Sequence, residues 1–441
     1  MERYAPRPCA SSLKSASSMK RKPHYAWKIG EPVPEIGGHS LAKHRVFQRY
    51  TERYIQILSA VPAKRELNLT VVDGFCGGGA YRHGVEMIAG SPLILLRAVQ
   101  AAEASLAIAR QNGFSVRADF FFVDRLKEHV DFLRQELEGS EFKADVGRRI
   151  HLTHSTFEEK AANIIAAIKA KGTSHRALFF LDQYGWSAVA FKSIRKIFAE
   201  LNNPEVLITF SVDSLINYLT TKTAANRSGR AIELDPQLGE ALAAMKNEQG
   251  QRYVIQGFLY RHVLQNTGAR FYTPFFIRSS ESHRSYWLLH LSKHARARDE
   301  MARLHWDLTN TFVHPGTAGF NALGFDPAID PNQHTFNFDF GSDARTDSLN
   351  AAIEQLPKLI RDDVGLEHAT SLGDLFAARC NETPLTFPMV SETVARLRDE
   401  FDEVEVFSAD GKPRPRAVHL SPKDLVRASS QKTFLRTFGR R

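Results

Sequence analysis

Short runs of β-branched and aromatic residues alternate with longer stretches of helical spacing through the first two thirds of the chain. Residues 67–73 (LNLTVVD), 119–123 (DFFFV), 177–181 (ALFFL) and 205–212 (EVLITFSV) are the apolar runs, with a weaker one at 149–153. Near-continuous apolar runs of this length predict strands buried on both faces. Helical patterns lie between them at 92–111, 126–137, 157–171 and 189–201, the first three closing near Gly113, Gly139 and Gly172. Gly90-Ser91-Pro92 supplies an N-cap and an N1 proline for the first of these. A leading helix at 39–58 carries Leu41, Val46, Phe47, Tyr50, Tyr54, Ile57 and Leu58 on one broad face.

Five strand–helix units in series predict a parallel sheet, whose ligands sit beyond the carboxyl ends of its strands. After a helical excursion at 223–268, strand candidates at 270–278 and 284–291 are separated only by 279–283, so they form an antiparallel hairpin. That ending distinguishes a methyltransferase sheet from a dehydrogenase sheet. The expected fold is α/β: a seven-stranded, mostly parallel, Rossmann-like sheet of methyltransferase type with a C-terminal antiparallel hairpin, occupying 29–345. A small winged-helix-like domain is expected at 365–425, with helices at 372–379 and 389–401 and strands at 403–407 and 416–420. Its layout sets 391–398, with Arg396 and Arg398, near a major groove and Lys412, Arg414 and Arg416 against phosphates. A winged helix that binds protein is the competing reading.

Charge adds a partner class. The net charge is +9, yet 1–28 carries +6 and 411–441 carries +8, which leaves −5 for the body. Basic ends of this kind, at 1–28 and 426–441, suit contact with a polyanion, or simply solubilise the chain. The Ser-rich and basic stretch 1–23 is expected to be disordered. Cys9, Cys76 and Cys380 are scattered and form no CxxC pair, so they predict free thiols rather than disulfides or a metal cluster. No apolar run long enough for a membrane span and no secretory signal is evident, which makes cytoplasmic residence the expectation.

The chemistry concentrates at the strand tips. Asp73-Gly74-Phe75-Cys76-Gly77-Gly78-Gly79 ends the first strand in an acid and a glycine turn. No Gly-Lys-Ser/Thr follows, so it is not a P-loop, and it is not a clean G-x-G-x-x-G. An acid followed by such a turn suits the amino-acid end of S-adenosylmethionine, with Gly74, Gly77 and Gly79 leaving room for it. Asp124, 51 residues beyond Asp73, ends the second strand, where an acid takes both ribose hydroxyls; capping the following helix is its bland alternative. Ser155 follows the third strand, where the adenine amino group is read. Asp182-Gln183-Tyr184 ends the fourth, with Asp182 to accept from an exocyclic amine and Tyr184 to stack on a base. Read without function, Asp182 is a helix cap and Tyr184 a core ring.

Lys43-His44, VVDGFCGGGAY at 71–81, Gly84, Gly90-Ser91-Pro92-Leu93, FFLDQYGW at 179–186, YWLLHLSKH at 286–294, Met301 and Trp306 together resemble the three-Cys-motif partner proteins, TcmP, over 39–307. The resemblance implies a methyltransferase-like domain. It also implies a partner, a three-Cys-motif protein of Gp37/Gp68-like, iron–sulfur type that carries the cysteines of the name. Family members usually have Pro where Gln183 stands. Two functions follow: a methyltransferase acting on DNA or RNA, or a non-catalytic nucleic-acid-binding escort of that partner. A metal-dependent nuclease using Asp73, Asp124 and Asp182 is a more distant third.

Overall fold

The computed structural model describes residues 25–110, 113–218, 220, 222–223, 226–245, 251–278, 285–308, 313–315, 318–320, 337–339, 342–365, 368–416 and 418–429. The expected disorder at 1–23, Cys9 and most of the C-terminal basic tail lie outside them. Seven strands form the main sheet: β1 (Glu66–Asp73), β2 (Ser115–Asp124), β3 (Ile150–His154), β4 (Arg176–Leu181), β5 (Glu205–Phe210), β6 (Phe271–Arg278) and β7 (Ser285–Ser292). Their order is β3-β2-β1-β4-β5-β7-β6. The first five pair in parallel, while β7 runs antiparallel to both β5 and β6. This mixed, Rossmann-like sheet is the arrangement that the strand–helix alternation and the terminal hairpin predict.

Its period of two sorts side chains to opposite faces. Val71, Phe120, Phe122, Leu178 and Phe180 pack under α1 (Gly38–Leu58), α2 (Ser91–Ala109) and α3 (Lys127–Glu138). Val72, Val123, Phe179 and Leu181 pack under α4 (Phe157–Lys169), α5 (Phe191–Glu200) and the helix Gln251–Thr267. With both faces covered, ligand access is left to the strand ends. The excursion between β5 and β6 includes the helices Arg227–Ala231, Pro236–Met245 and Gln251–Thr267.

Helix α2 has 19 residues and a mean hydropathy of 1.4, enough by length and composition alone to cross a membrane. The expectation that no stretch would pass that test is corrected. Here Leu95, Leu96, Val99 and Ala102 are buried in the same core as α1, and Glu103 accepts the Val116 N–H at 3.0 Å.

The C-terminal unit has its own core, and helix Ser342–Val364 belongs to it through Leu349, Ala352, Leu356 and Ile360. It therefore begins ahead of residue 365. Helices Leu372–Arg379 and Phe387–Asp399 follow, with a sheet in which Leu425–Ala428 pairs with both Thr370–Ser371 and Val404–Phe407. The second wing strand is thus 425–428, not 416–420. Val426 and Ala428 alternate inward to meet Val404 and Val406, whereas Pro415, Arg416, Val418 and His419 are exposed. The unit docks at the open edge of the main sheet, where Asn381 accepts the Tyr272 N–H at 3.0 Å and donates to the Arg270 carbonyl at 3.1 Å.

Candidate active site

The site lies at the carboxyl ends of β1, β2 and β4, where the strand order reverses. Asp73 ends β1 with 1% of its surface exposed. One carboxyl oxygen accepts the Phe75 N–H at 3.1 Å, an Asx turn that starts the glycine loop. Its Oδ2 is buried without a hydrogen-bond partner. Burial pushes this carboxyl up to about 7, against the hydrogen bonds from Ser91 and Phe75, and the charges of Asp182 and Asp124 push the same way. Ser91 is the first residue of α2, with Gly90 as the N-cap.

Across the reversal, Asp182 receives Lys43 Nζ on both oxygens at 2.6 Å. Lys43 comes from α1 and is buried. Burial works to raise the Asp182 carboxyl, but the charge and hydrogen bonds of Lys43, with the Thr209 hydroxyl and His44, hold it below the ordinary carboxylate range. His44 sits beside them with a buried, unpartnered Nδ1 and is neutral: burial, then the Lys43 charge, lowers it to about 4. Its ring lies 5.8 Å from that of Tyr81, whose hydroxyl burial, then the Asp182 charge, raises well above its ordinary range.

The structure brings Asp73, Asp182, Lys43, His44 and Tyr81 together. Other predicted residues have internal partners. Asp124 Oδ2 accepts the Gly77 N–H at 3.1 Å, while Oδ1 accepts the Leu126 N–H at 2.8 Å and meets His129 Nδ1 at 3.1 Å. Ser155 donates its hydroxyl to Glu159 at 2.7 Å, beside the capping box of α4. Gln183 is buried, and its Oε1 accepts the N–H groups of Ala188 and Val189 at 2.8 and 3.0 Å. Through Oε1 it staples the loop entering α5, while its Nε2 is buried without a hydrogen-bond partner. Tyr184 is 75% exposed, not a core ring.

The glycines are packed against protein. A Cβ on Gly74 would meet Leu181 Cδ2 at 2.8 Å, and one on Gly79 would meet Leu133 Cδ1 at 2.6 Å. Gly77 and Gly79 take left-handed φ values of +58° and +82°. Over Gly77 and Gly78 lies the indole of Trp27, 2.8 Å from where a Gly77 Cβ would stand. Sequence reasoning missed Trp27, Tyr81 and the chemical role of Lys43 and His44. The signal was legible for Lys43 and His44, since both fall on the helix face that Val46, Phe47 and Tyr50 bury. Among the described residues no group of three or more His, Cys, Asp or Glu side chains is placed to hold a metal, so Asp73, Asp124 and Asp182 make no nuclease-like metal set.

In the C-terminal unit every predicted phosphate- or base-contacting residue is ion-paired. Arg396 pairs with Glu400 at 3.3 Å, Arg398 with Asp399 at 2.5 Å, Lys412 with Asp410 at 3.1 Å, Arg414 with Asp424 at 2.6 Å and Arg416 with Asp402 at 3.0 Å. Ser391, Thr393, Val394, Leu397 and Arg398 of 391–398 are buried, which leaves Glu392, Ala395 and Arg396 on the outer face of the helix. The start of helix Phe387–Asp399 is sealed on helix Ala295–Asp307. Asp299 accepts the Phe387 N–H at 2.6 Å, Trp306 donates to the Pro384 carbonyl at 2.8 Å, and the buried Arg298 donates to the Leu385 carbonyl at 2.9 Å and to that of Thr383.

Residues 324–411 match the GMT-like wHTH domain. The C-terminal unit is a winged helix-turn-helix domain. No curated protein matches the chain. Among solved structures it is similar to a Legionella pneumophila protein at 11% identity and a TM-score of 0.35, covering 61% of this chain and 92% of that one. It is also similar to a putative rRNA-methylase from Clostridium thermocellum (11% identity, TM-score 0.26, 54% and 95% covered). Magnesium protoporphyrin IX methyltransferase from Synechocystis with bound SAM is a third (10% identity, TM-score 0.25, 59% and 86% covered). The class I methyltransferase-like fold rests on the strand order and the antiparallel β7, not on these scores.

Proposed function

We propose that the chain binds S-adenosylmethionine at the tips of β1 and β2 and transfers its methyl group to an exocyclic amine of a nucleic-acid base. The observation that carries this reading is Asp73 Oδ2, a buried acceptor with no partner at the start of the glycine loop. An ammonium such as the donor's amino group satisfies it and offsets the cost of burying the carboxylate. The donor's sulfonium supplies an activated methyl group. Asp182, kept ionised by Lys43, retains lone pairs to accept from the substrate amine, whose proton is lost once the methyl is on nitrogen. Tyr184, exposed two residues beyond Asp182, offers a ring for stacking a base.

The fuller reading adds a three-Cys-motif, Gp37/Gp68-like iron–sulfur partner and cytoplasmic residence, supported by the sequence resemblance and composition. A competing reading, a non-catalytic nucleic-acid-binding escort of that partner, is favoured by the indole over Gly77 and Gly78. Calorimetric titration with S-adenosylmethionine separates the two. Binding by the wild type that weakens in Asp73→Asn is expected; no binding rejects the donor site. Transfer of labelled methyl onto pooled DNA and RNA then tests the substrate class, and no label on either polymer rejects it.

A further inference from the structure

We infer that Trp27 is an intramolecular occupant of the donor cradle, held there by the segment 27–36, and that the methyl donor binds only when this strap lifts. The inference rests on the donor-site reading. The indole is 4% exposed and donates its Nε1–H to the Ala80 carbonyl at 2.5 Å. Tyr81 and His129 stand around it at ring separations of 5.1 and 4.8 Å. A Cβ on Gly78 would collide with Trp27 Cγ, so the ring lies on the glycine backbone itself. The glycines that leave room for a ligand have that room filled by the chain's own side chain.

Few main-chain contacts hold the strap. Arg82 N–H donates to the Pro34 carbonyl at 2.9 Å and Ile36 N–H to the Arg82 carbonyl at 2.8 Å, adding the segment to the edge of the hairpin Ala80–His83 and Glu86–Ala89. Gly84 N–H donates to Glu35 at 2.7 Å, and the Arg82–Glu35 ion pair at 3.1 Å is half exposed on both sides, a weak contributor. Besides these, the strap is held by the buried Ile36, by Tyr25, whose ring lies 6.0 Å from that of Trp27 and whose hydroxyl accepts the Gly37 N–H at 3.4 Å, and by the indole itself. Meanwhile Asp73 Oδ2, one turn away in the same loop, has no partner. An acceptor held ready beside a covered cradle is the arrangement of a gated site, and removing the gate raises apparent affinity by the reciprocal of the open fraction.

The test titrates S-adenosylhomocysteine into the full chain by calorimetry for wild type, Trp27→Ala and Trp27→Phe. Alongside it, amide hydrogen exchange at 33–36 is followed in the wild type with and without the analogue. Binding about tenfold tighter in Trp27→Ala, with faster exchange at 33–36 when the wild type is saturated, is the expected result. Equal or weaker binding by Trp27→Ala with unchanged exchange overturns the strap while leaving the donor site standing. Should Trp27→Ala fail to fold, the wild-type exchange decides alone. Absence of binding in all three proteins rejects the donor site, and the strap with it.

Discussion

Replacing Asp73 by asparagine isolates one buried charge whose cost depends on pH. Burial raises this carboxyl to about 7 in the folded protein, against about 3.9 when unfolded. Between those values the folded state holds a proton that the unfolded state has released, so stability falls as pH rises from about 4 towards 7 and is flat beyond. A gap of about three pH units corresponds to ~4 kcal/mol, an upper figure because relaxation and water entry soften the penalty. The Asp73→Asn side chain would keep an acceptor for the Phe75 N–H but carry no charge. Denaturant unfolding of both proteins at pH 5 and pH 8 reads the difference. The variant should gain on the wild type by a few kcal/mol on going to the higher pH. Donor binding should show the opposite preference in the wild type, since the ammonium needs the carboxylate: affinity drops about tenfold for each pH unit below about 7. Parallel stability curves for the two proteins would refute the claim that Asp73 is a buried acid of raised pKa.

Lys43→Met leaves Asp182 without its cation and should cost ~2–3 kcal/mol, less than a fully buried pair because a quarter of the Asp182 side chain is exposed. Because Lys43 holds the Asp182 carboxyl low, the stability this adds is present above about pH 4 and lost as pH falls through the folded value, so the variant should show a shallower acid limb in thermal melts. Gln183→Leu removes the acceptor for the Ala188 and Val189 N–H groups and should cost ~2 kcal/mol in unfolding. Methyl transfer per folded molecule should nonetheless persist; its loss with unchanged stability would point to a catalytic role. Arg414→Ala leaves the buried Asp424 with an uncompensated charge and should cost ~2 kcal/mol, whereas Lys412→Ala should fall within ~0.5 kcal/mol, both read from melting temperatures. Equal losses would reject the structural role given to Arg414.

The alternation of apolar runs and helical stretches carried the sheet. The strands at 119–123 and 177–181 are found within β2 and β4, because a strand buried on both faces must be apolar throughout and no surface loop is. The acids at the strand tips were legible for the same reason: they mark where the apolar run ends. Their partners were not. Lys43 meets Asp182 across 139 residues, and Trp27 meets Ala80 across 53, separations that no local pattern encodes. Gln183 was singled out by its neighbours in the chain, while its Oε1 contacts are with a loop that folds back over it.

The winged domain makes the same division. Helical spacing and a basic loop announced its class, and Leu425–Ala428 displaced 416–420 as the second strand because the register with Val404–Phe407 is chosen by which side chains fill the core. Sequence by itself determined the order of the main-sheet strands and of the helices between them, their burial and the acids at their ends, all consequences of local periodicity. Tertiary structure alone decided which charges are neutralised and which glycines lie under an indole. Both depend on groups distant in the chain meeting in a medium of low dielectric, where a partner or its absence sets the chemistry.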